Sequence, residues 1–323
     1  MSLRYHRVFL FGLGRIGFTG IEGSFKKGSI DTHLGYLLTD RKFKVVGAWD
    51  SQLDSRKNAE KFLKGKVVLT KNYMDLHPDI AVIAVQEEFQ IPLITELMSQ
   101  SSIKAFVCEK PFGRDGKKIQ GIKKDLTDKK TSCFVNYPRS NSLMYSKWHK
   151  NLINEIDNGC NVRIIIQISD ASKSAIWHAL HLLVSLHQKI GEIDFMKSNI
   201  IANNSAHCIV LQQHNIYVEM NISRILQSPY AEITIHLENQ SIWLKDGFSK
   251  VFISDNNKFM GWREFPLKSE PEINLLSNSM RHLYSRVDQT LLSGDFDIRD
   301  IEVAHLVHKN ILKLRTIDKK INI

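Results

Sequence analysis

From residue 6 the chain alternates short, continuously apolar runs with amphipathic stretches. HRVFLFGLG (6–14) reads as a strand and a turn, FKVVGAWD (43–50) as a strand, SRKNAEKFLKG (55–65) as a helix and KVVLT (66–70) as a short strand. DIAVIAV (79–85) is a buried strand, PLITELMSQ (92–100) a helix, and KAFVCEK (104–110) a further strand. A basic helix from about Gly113 to Thr127 and the strand SCFVNYP (132–138) complete this half. Strands so uniformly apolar, with helices between them, predict a parallel sheet covered on both faces. The fold class expected here is a doubly wound α/β domain.

After residue 160 the period changes. VRIIIQIS (162–169), AHCIVLQQ (206–213), IYVEMNISRI (216–225), AEITIHLENQSIWL (231–244) and KVFISD (250–255) alternate or run apolar with short turns between them. They predict a mainly antiparallel, open sheet, with one helix, AIWHALHLLVSLHQ (175–188), inserted after its first strand. Two amphipathic helices, 274–294 and 298–315, end the chain. No internal repeat or low-complexity linker interrupts the pattern. The division falls at residue 138: an α/β domain over 1–138 and an α+β domain over 139–323, whose last helix is placed to pack back on the first.

Composition bounds this picture without redirecting it. A chain of 323 residues suits about two domains. An apolar content of 43% with 24% charged residues is ordinary for a globular protein. No run approaches the roughly 18 consecutive apolar residues of a membrane span, and Arg4 and Arg7 lead straight into a strand without a signal-peptide design. Cys108, Cys133, Cys160 and Cys208 are widely spaced, with no C-x-x-C, which favours reduced thiols and a cytoplasmic location. The net charge of +10 is uneven: residues 1–150 hold 26 Lys and Arg against 15 Asp and Glu, and residues 151–323 hold 18 against 19. Much of that excess lies in pairs such as Lys117-Lys118 and Lys123-Lys124 on a solvated helix face, without interleaved aromatics for base stacking. Nucleic acid and membrane are therefore not expected as partners. A small molecule is, together with a homodimer or homotetramer formed through the open sheet.

Two motifs carry chemistry. Gly12-Leu13-Gly14-Arg15-Ile16-Gly17 follows the first strand, where glycines permit a tight turn, close approach of a pyrophosphate, and close helix–strand packing. Asp50 ends the second strand, where an acid accepts both ribose hydroxyls and repels a 2′-phosphate, so NAD is expected over NADP. Asp50 lies further along than the usual ~20 residues from the glycines, and the long stretch before THLG (32–35) accounts for the difference. The second motif is AFVCEKPFG (105–113). Its apolar strand delivers the chain into Glu109, Lys110 and Pro111, at the strand C-termini where open parallel sheets bind ligands.

Together GLGRIG, VVGAWD, VCEKPFG, FVNYPRS and AIWHALHLLVSLHQKIG resemble the glucose-fructose oxidoreductase and inositol dehydrogenase (Gfo/Idh/MocA) family, continuously to about residue 191. The resemblance implies that Lys110 reaches between the nicotinamide and the reacting hydroxyl while Glu109 holds the region in place. His181 matches the family's helix histidine and would be the general acid/base. Val85 and Gln86, with Glu109 and Lys110, would border the cofactor. Tyr137, Arg139, Trp177, His178 and His181 would border the substrate. Three departures stand out: Gln86 and Gln90 replace the family's proline and histidine, Trp177 replaces an acid, and Ala179 replaces a glycine. His178 and His181 are three residues apart, but no H-E-x-x-H or flanking carboxylate accompanies them, so no metal is expected. The implied activity is hydride transfer to or from a sugar, sugar nucleotide or related metabolite. Reduction of a cyclic imine and a non-catalytic dinucleotide-binding sensor are the alternatives.

Overall fold

The computed structural model describes residues 5–20, 31–63, 65, 67–100, 103–113, 115–144, 147–169, 173–186, 200–202, 206–213, 215–223, 230–238, 240–248, 250–255, 268–274 and 278–317. In chain order the elements are β1 (His6–Phe11), a wide turn at Arg15–Thr19, α1 (His33–Leu37), β2 (Phe43–Trp49), α2 (Leu53–Leu63), β3 (Val68–Leu69), β4 (Ile80–Ile83), α3 (Glu87–Gln100), β5 (Ala105–Glu109), α4 (Gly116–Asp128) and β6 (Ser132–Asn136). Then follow α5 (Pro138–Met144), α6 (Lys147–Asp157), β7 (Val162–Ser169), α7 (Lys173–Leu186), β8 (Ile200–Ala202), β9 (Ala206–Gln213), β10 (Ile216–Ser223), β11 (Ala231–His236), β12 (Gln240–Lys245), β13 (Lys250–Asp255), β14 (Lys268–Asn274), α8 (Ser279–Ser293) and α9 (Arg299–Ile317). The chain divides into two units, Met1–Tyr137 with Ser277–His305, and Pro138–Leu276 with Leu306–Ile323. The cut after Tyr137 lies next to the expected one, while residues 277–305 return to the first unit.

In the first unit six strands run parallel in the order β3-β2-β1-β4-β5-β6. Successive residues of β1 point to opposite faces. Val8 and Leu10 join one buried cluster, and Phe9 and Phe11 join the other. With both faces covered from Val8 to Phe11, that stretch has no position for a polar side chain, which explains its unbroken apolar run. The order reverses between β1 and β4, the switch point beyond which such sheets take ligands. β6 is the edge strand, and its outward amides are claimed: Val135 N donates to Asp300 Oδ2 (2.8 Å) and Cys133 N to the Asp297 carbonyl (2.9 Å). Covering the edge in this way blocks pairing with another chain. α3 starts at Glu87 rather than at Pro92, with Glu87 and Glu88 in its first turn, where negative charge favours a helix start.

The second unit is an eight-stranded sheet in the order β14-β13-β12-β11-β7-β10-β9-β8. All its described pairings are antiparallel except β7 with β10, which are parallel. β10 and β11 alternate buried and half-buried residues strictly, the mark of a sheet with one covered face. The run 231–244 proves to be two strands, because Leu237 is buried within the turn and hides the break. α5, α6, β8 and β14 were not expected. Among the described residues no helix is long and apolar enough to cross a membrane.

Candidate functional site

The glycine loop answers the first test of a dinucleotide cradle. Gly12 has φ +97°, and a Cβ there would lie 2.3 Å from the Ala84 carbonyl oxygen. A Cβ on Gly17 would lie 2.1 Å from the Gly12 carbonyl oxygen. Both must be glycine for the turn to close against β4. Gly14 is different: it is exposed, its backbone is extended (φ −77°), and a Cβ would meet nothing within 4 Å. The fold itself does not require a glycine there, whereas close approach of a pyrophosphate would. Phe18 N and Thr19 N donate back to the Gly14 carbonyl (2.8 and 3.1 Å). The amides of Arg15, Ile16 and Gly17 therefore precede the first closed turn. Residues 21–30, within the long stretch before THLG, lie outside the described residues.

Asp50 sits directly across from this loop. Its Oδ2 accepts from Leu13 N (2.7 Å) and its Oδ1 from Gln52 N (2.7 Å). Each carboxylate oxygen has a second lone pair, so both retain capacity for a ribose hydroxyl. Arg56 donates to the carbonyls of Asp50 (2.6 Å) and Ser51 (3.0 Å) and lies over the Trp49 ring at 4.3 Å.

At the end of β5, Glu109 is buried, and its carboxylate is held by groups that the sequence does not place together. Oε1 accepts from Asn136 Nδ2 (2.6 Å) and His33 Nε2 (2.9 Å), and Oε2 from the Lys110 amide (3.3 Å). A carboxylate only accepts, which puts a proton on His33 Nε2. In the neutral ring Nδ1 then accepts from the Tyr284 hydroxyl (2.8 Å). His33 and Tyr284 are both fully buried, and burial, with Glu109 next, pushes the Tyr284 phenol well up. Thr32 Oγ1 caps α1 by accepting from Gly35 N (3.1 Å), so the cap fixes the helix that carries His33. Lys110 itself is half-buried, and its peptide bond to Pro111 is cis.

Gln90, where the resembled family has histidine, is buried and bridges three segments. Its Nε2 donates to the carbonyls of Glu109 (2.9 Å) and Val85 (3.4 Å), and its Oε1 accepts from Gly113 N (3.2 Å). An amide serves this position because it both donates and accepts without carrying charge. Val85 is half-buried and Gln86 exposed.

In the second unit, the two residues after Pro138 meet the histidines of α7. Arg139 Nη1 donates to His178 Nε2 (3.0 Å), and Arg139 Nε to the Gly247 carbonyl (2.6 Å). Ser140 Oγ lies 2.6 Å from His181 Nδ1, and His181 is buried. Trp177 is half-buried, with its ring edge-on to His308 of α9 at 5.0 Å. Tyr137, expected beside the substrate, is buried in the first unit's core with Phe112, Cys133 and Ile301, and burial raises its phenol. His187 lies outside the described residues. Lys110 and His181 belong to different units.

Sequence reasoning singled out the glycines, Asp50 and Lys110, but not the contacts of His33, Asn136, Tyr284 and Ser140. A faint signal existed in Thr32-His33, a helix cap followed at once by a histidine in an otherwise apolar helix.

No family model and no curated protein matches the chain. Solved structures do. An oxidoreductase of the Gfo/Idh/MocA family from Vibrio cholerae superposes with a TM-score of 0.68 at 10% identity, over 97% of this chain and 98% of that one. UDP-N-acetylglucosamine 3-dehydrogenase from Acidithiobacillus ferrooxidans gives 0.66 at 11% identity, over 97% of each. A super-repressor mutant of Gal80p from Saccharomyces cerevisiae gives 0.70 at 12% identity, over 97% of this chain and 96% of that one. The chain thus has the fold seen in the Gfo/Idh/MocA oxidoreductases, across both units.

Proposed function

We propose that the chain is an oxidoreductase that binds a nicotinamide dinucleotide on the first unit and acts on a sugar, sugar nucleotide or related small metabolite. One observation carries the reading: within a single loop, Gly12 and Gly17 are glycines because the fold has no room there, while Gly14 is a glycine although the fold leaves it open. A bound dinucleotide supplies the hydride chemistry; the chain supplies position and charge. The Asp50 carboxylate takes the ribose hydroxyls and favours NAD over NADP. The Lys110 ammonium stabilises the oxygen at the reacting carbon as negative charge develops on it. His181, with Nδ1 engaged by Ser140, exchanges the substrate hydroxyl proton at Nε2. The sugar class is supported by the likeness to UDP-N-acetylglucosamine 3-dehydrogenase.

The test is a folded Lys110→Met variant titrated calorimetrically with NADH and NADPH and assayed for turnover by nicotinamide absorbance. NADH affinity should be retained, and turnover should fall on the order of a hundredfold or more. A variant keeping a third of wild-type turnover would remove Lys110 from the chemistry, and tighter NADPH binding would remove Asp50 from its role. The likeness to Gal80p favours a second reading, a dinucleotide-binding regulator without turnover. NADH binding with no turnover on any sugar substrate would select it.

A further inference from the structure

Arg139 is a half-buried cation that meets no anion among the described residues. Burial lowers the tendency of its guanidinium to hold its proton, and charges in such surroundings are ordinarily paired with an opposite charge. Here the partners are neutral: a carbonyl at Gly247 and a ring nitrogen at His178. Among the described residues no carboxylate forms an ion pair with it, and its remaining N–H groups, on Nη1 and Nη2, have no protein acceptor. The second unit nonetheless takes pains to hold the side chain still. Gly247 sits in a turn where Asp246, Gly247 and Phe248 all have left-handed φ (51°, 65° and 65°), a conformation costly for Asp and Phe. Phe248 is fully buried, which fixes the turn that offers the carbonyl. His178, on the other side, must leave Nε2 unprotonated in order to accept from a guanidinium.

A half-buried guanidinium held at Nε and Nη1, with donors to spare, matches the two-oxygen geometry of a carboxylate or phosphate. Along α7 the neighbouring histidine one turn on is His181. Resting on the oxidoreductase reading above, we infer that the substrate carries an anionic group, a carboxylate or a phosphate, and that Arg139, steadied by His178 and Gly247, receives it and so selects charged sugars over neutral ones.

The test uses the full chain with saturating NADH and four probes: glucose, glucuronate, glucose 1-phosphate and UDP-glucose. Calorimetry should detect charged probes and not glucose. Glucuronate against the two phosphates then tells which anion is preferred. Arg139→Gln should weaken binding of the preferred charged probe roughly ten- to a hundredfold without changing NADH affinity. Arg139→Lys should recover part of the loss, since it keeps the charge but not the fork. If Arg139→Gln does not fold, the wild-type preference for charged over neutral sugar still decides. The inference is overturned if glucose binds as tightly as its charged counterparts, if the charged probes bind equally well after Arg139→Gln, or if no charged probe binds at millimolar concentration. NADH titration of the wild type and of Lys110→Met probes the first unit alone. A protein that passes those tests but ignores charge would leave the oxidoreductase reading standing and remove this one.

Discussion

The two units treat an enclosed charge in opposite ways. In the first, Glu109 is surrounded by donors from β6, from α1 and from its own backbone, and the histidine among them is held in turn by Tyr284 of α8. In the second, Arg139 is held by two neutral acceptors and by no carboxylate among the described residues. A charge satisfied from within serves the fold, here by fixing the strand end from which Lys110 leaves. A charge positioned against neutral acceptors keeps donors to spare, and on the inference above an anionic group of the substrate takes them. The contrast separates the two positions more sharply than residue type does, since both would look equally functional in a sequence.

The strongest way to break the comparison is to remove the internal partner. His33→Phe keeps the ring volume but leaves Glu109 short of a donor in a buried place. The expected loss is about 3 kcal/mol in denaturant unfolding, because a buried carboxylate that loses one of its donors bears the desolvation cost of the missing bond. Adding Glu109→Gln to His33→Phe should recover a substantial part of that loss, since the stranded charge is gone. A double variant no more stable than the single one would mean that His33 matters for packing and not for Glu109.

The glycine loop gives the next largest effect. Gly12→Ala forces a left-handed backbone on a residue with a side chain, at about 1–3 kcal/mol, and drives its Cβ onto the Ala84 carbonyl. The fold should be visibly destabilised in thermal unfolding, whether or not dinucleotide is present. An unchanged melting temperature would show that the loop relaxes more readily than its contacts imply.

How much of this was legible beforehand follows the same division. The six strands of the first sheet were readable because both faces are covered and each strand is therefore continuously apolar. Lys110 stood out in the sequence because a buried strand runs into charge there. His33, Asn136 and Tyr284 did not, because their partners lie 76, 27 and 251 residues away along the chain, and no local pattern announces such contacts. The hairpin of β11 and β12 was missed for a local reason: Leu237 continues the apolar rhythm through the turn. Trp177 was expected beside the substrate because the resembled family has an acid there; the structure gives its ring a neighbour in His308, a contact that hydropathy does not show.

A third prediction supplies the exposed end of the scale. Burial alone would raise the Asp79 carboxyl, but the Lys104 ammonium and the Arg7 amide outweigh it and hold the group below the usual carboxylate range. A depressed folded value means that this contribution to stability is present above the unfolded carboxylate value and is lost as pH falls through the folded one. Lys104→Met should therefore cost less than about 1 kcal/mol near neutral pH, as exposed pairs do. The difference in melting temperature from wild type should shrink as pH drops through the acid range. A gap that widens instead would reverse the sign assigned to the pair.

The smallest change in stability belongs to Gly14→Ala, and it sharpens the comparison most. The backbone of Gly14 is one that alanine adopts freely, and its Cβ would enter open space. Replacing such a glycine restricts the unfolded chain, so stability should stay level or rise by about 0.4–1 kcal/mol. Nothing in the fold resists the methyl group. If the opening beside Gly14 is where the pyrophosphate comes closest, the same methyl group occupies the ligand's volume, and NADH affinity should fall while the melting temperature of the free protein does not. Gly12→Ala loses stability through a clash inside the protein; Gly14→Ala would lose binding through a clash that exists only with ligand present. Calorimetric titration of NADH beside thermal unfolding of the free variant separates the two cases. If Gly14→Ala binds NADH as tightly as wild type, the opening is not the phosphate's place, and the glycine loop would be a feature of the fold alone.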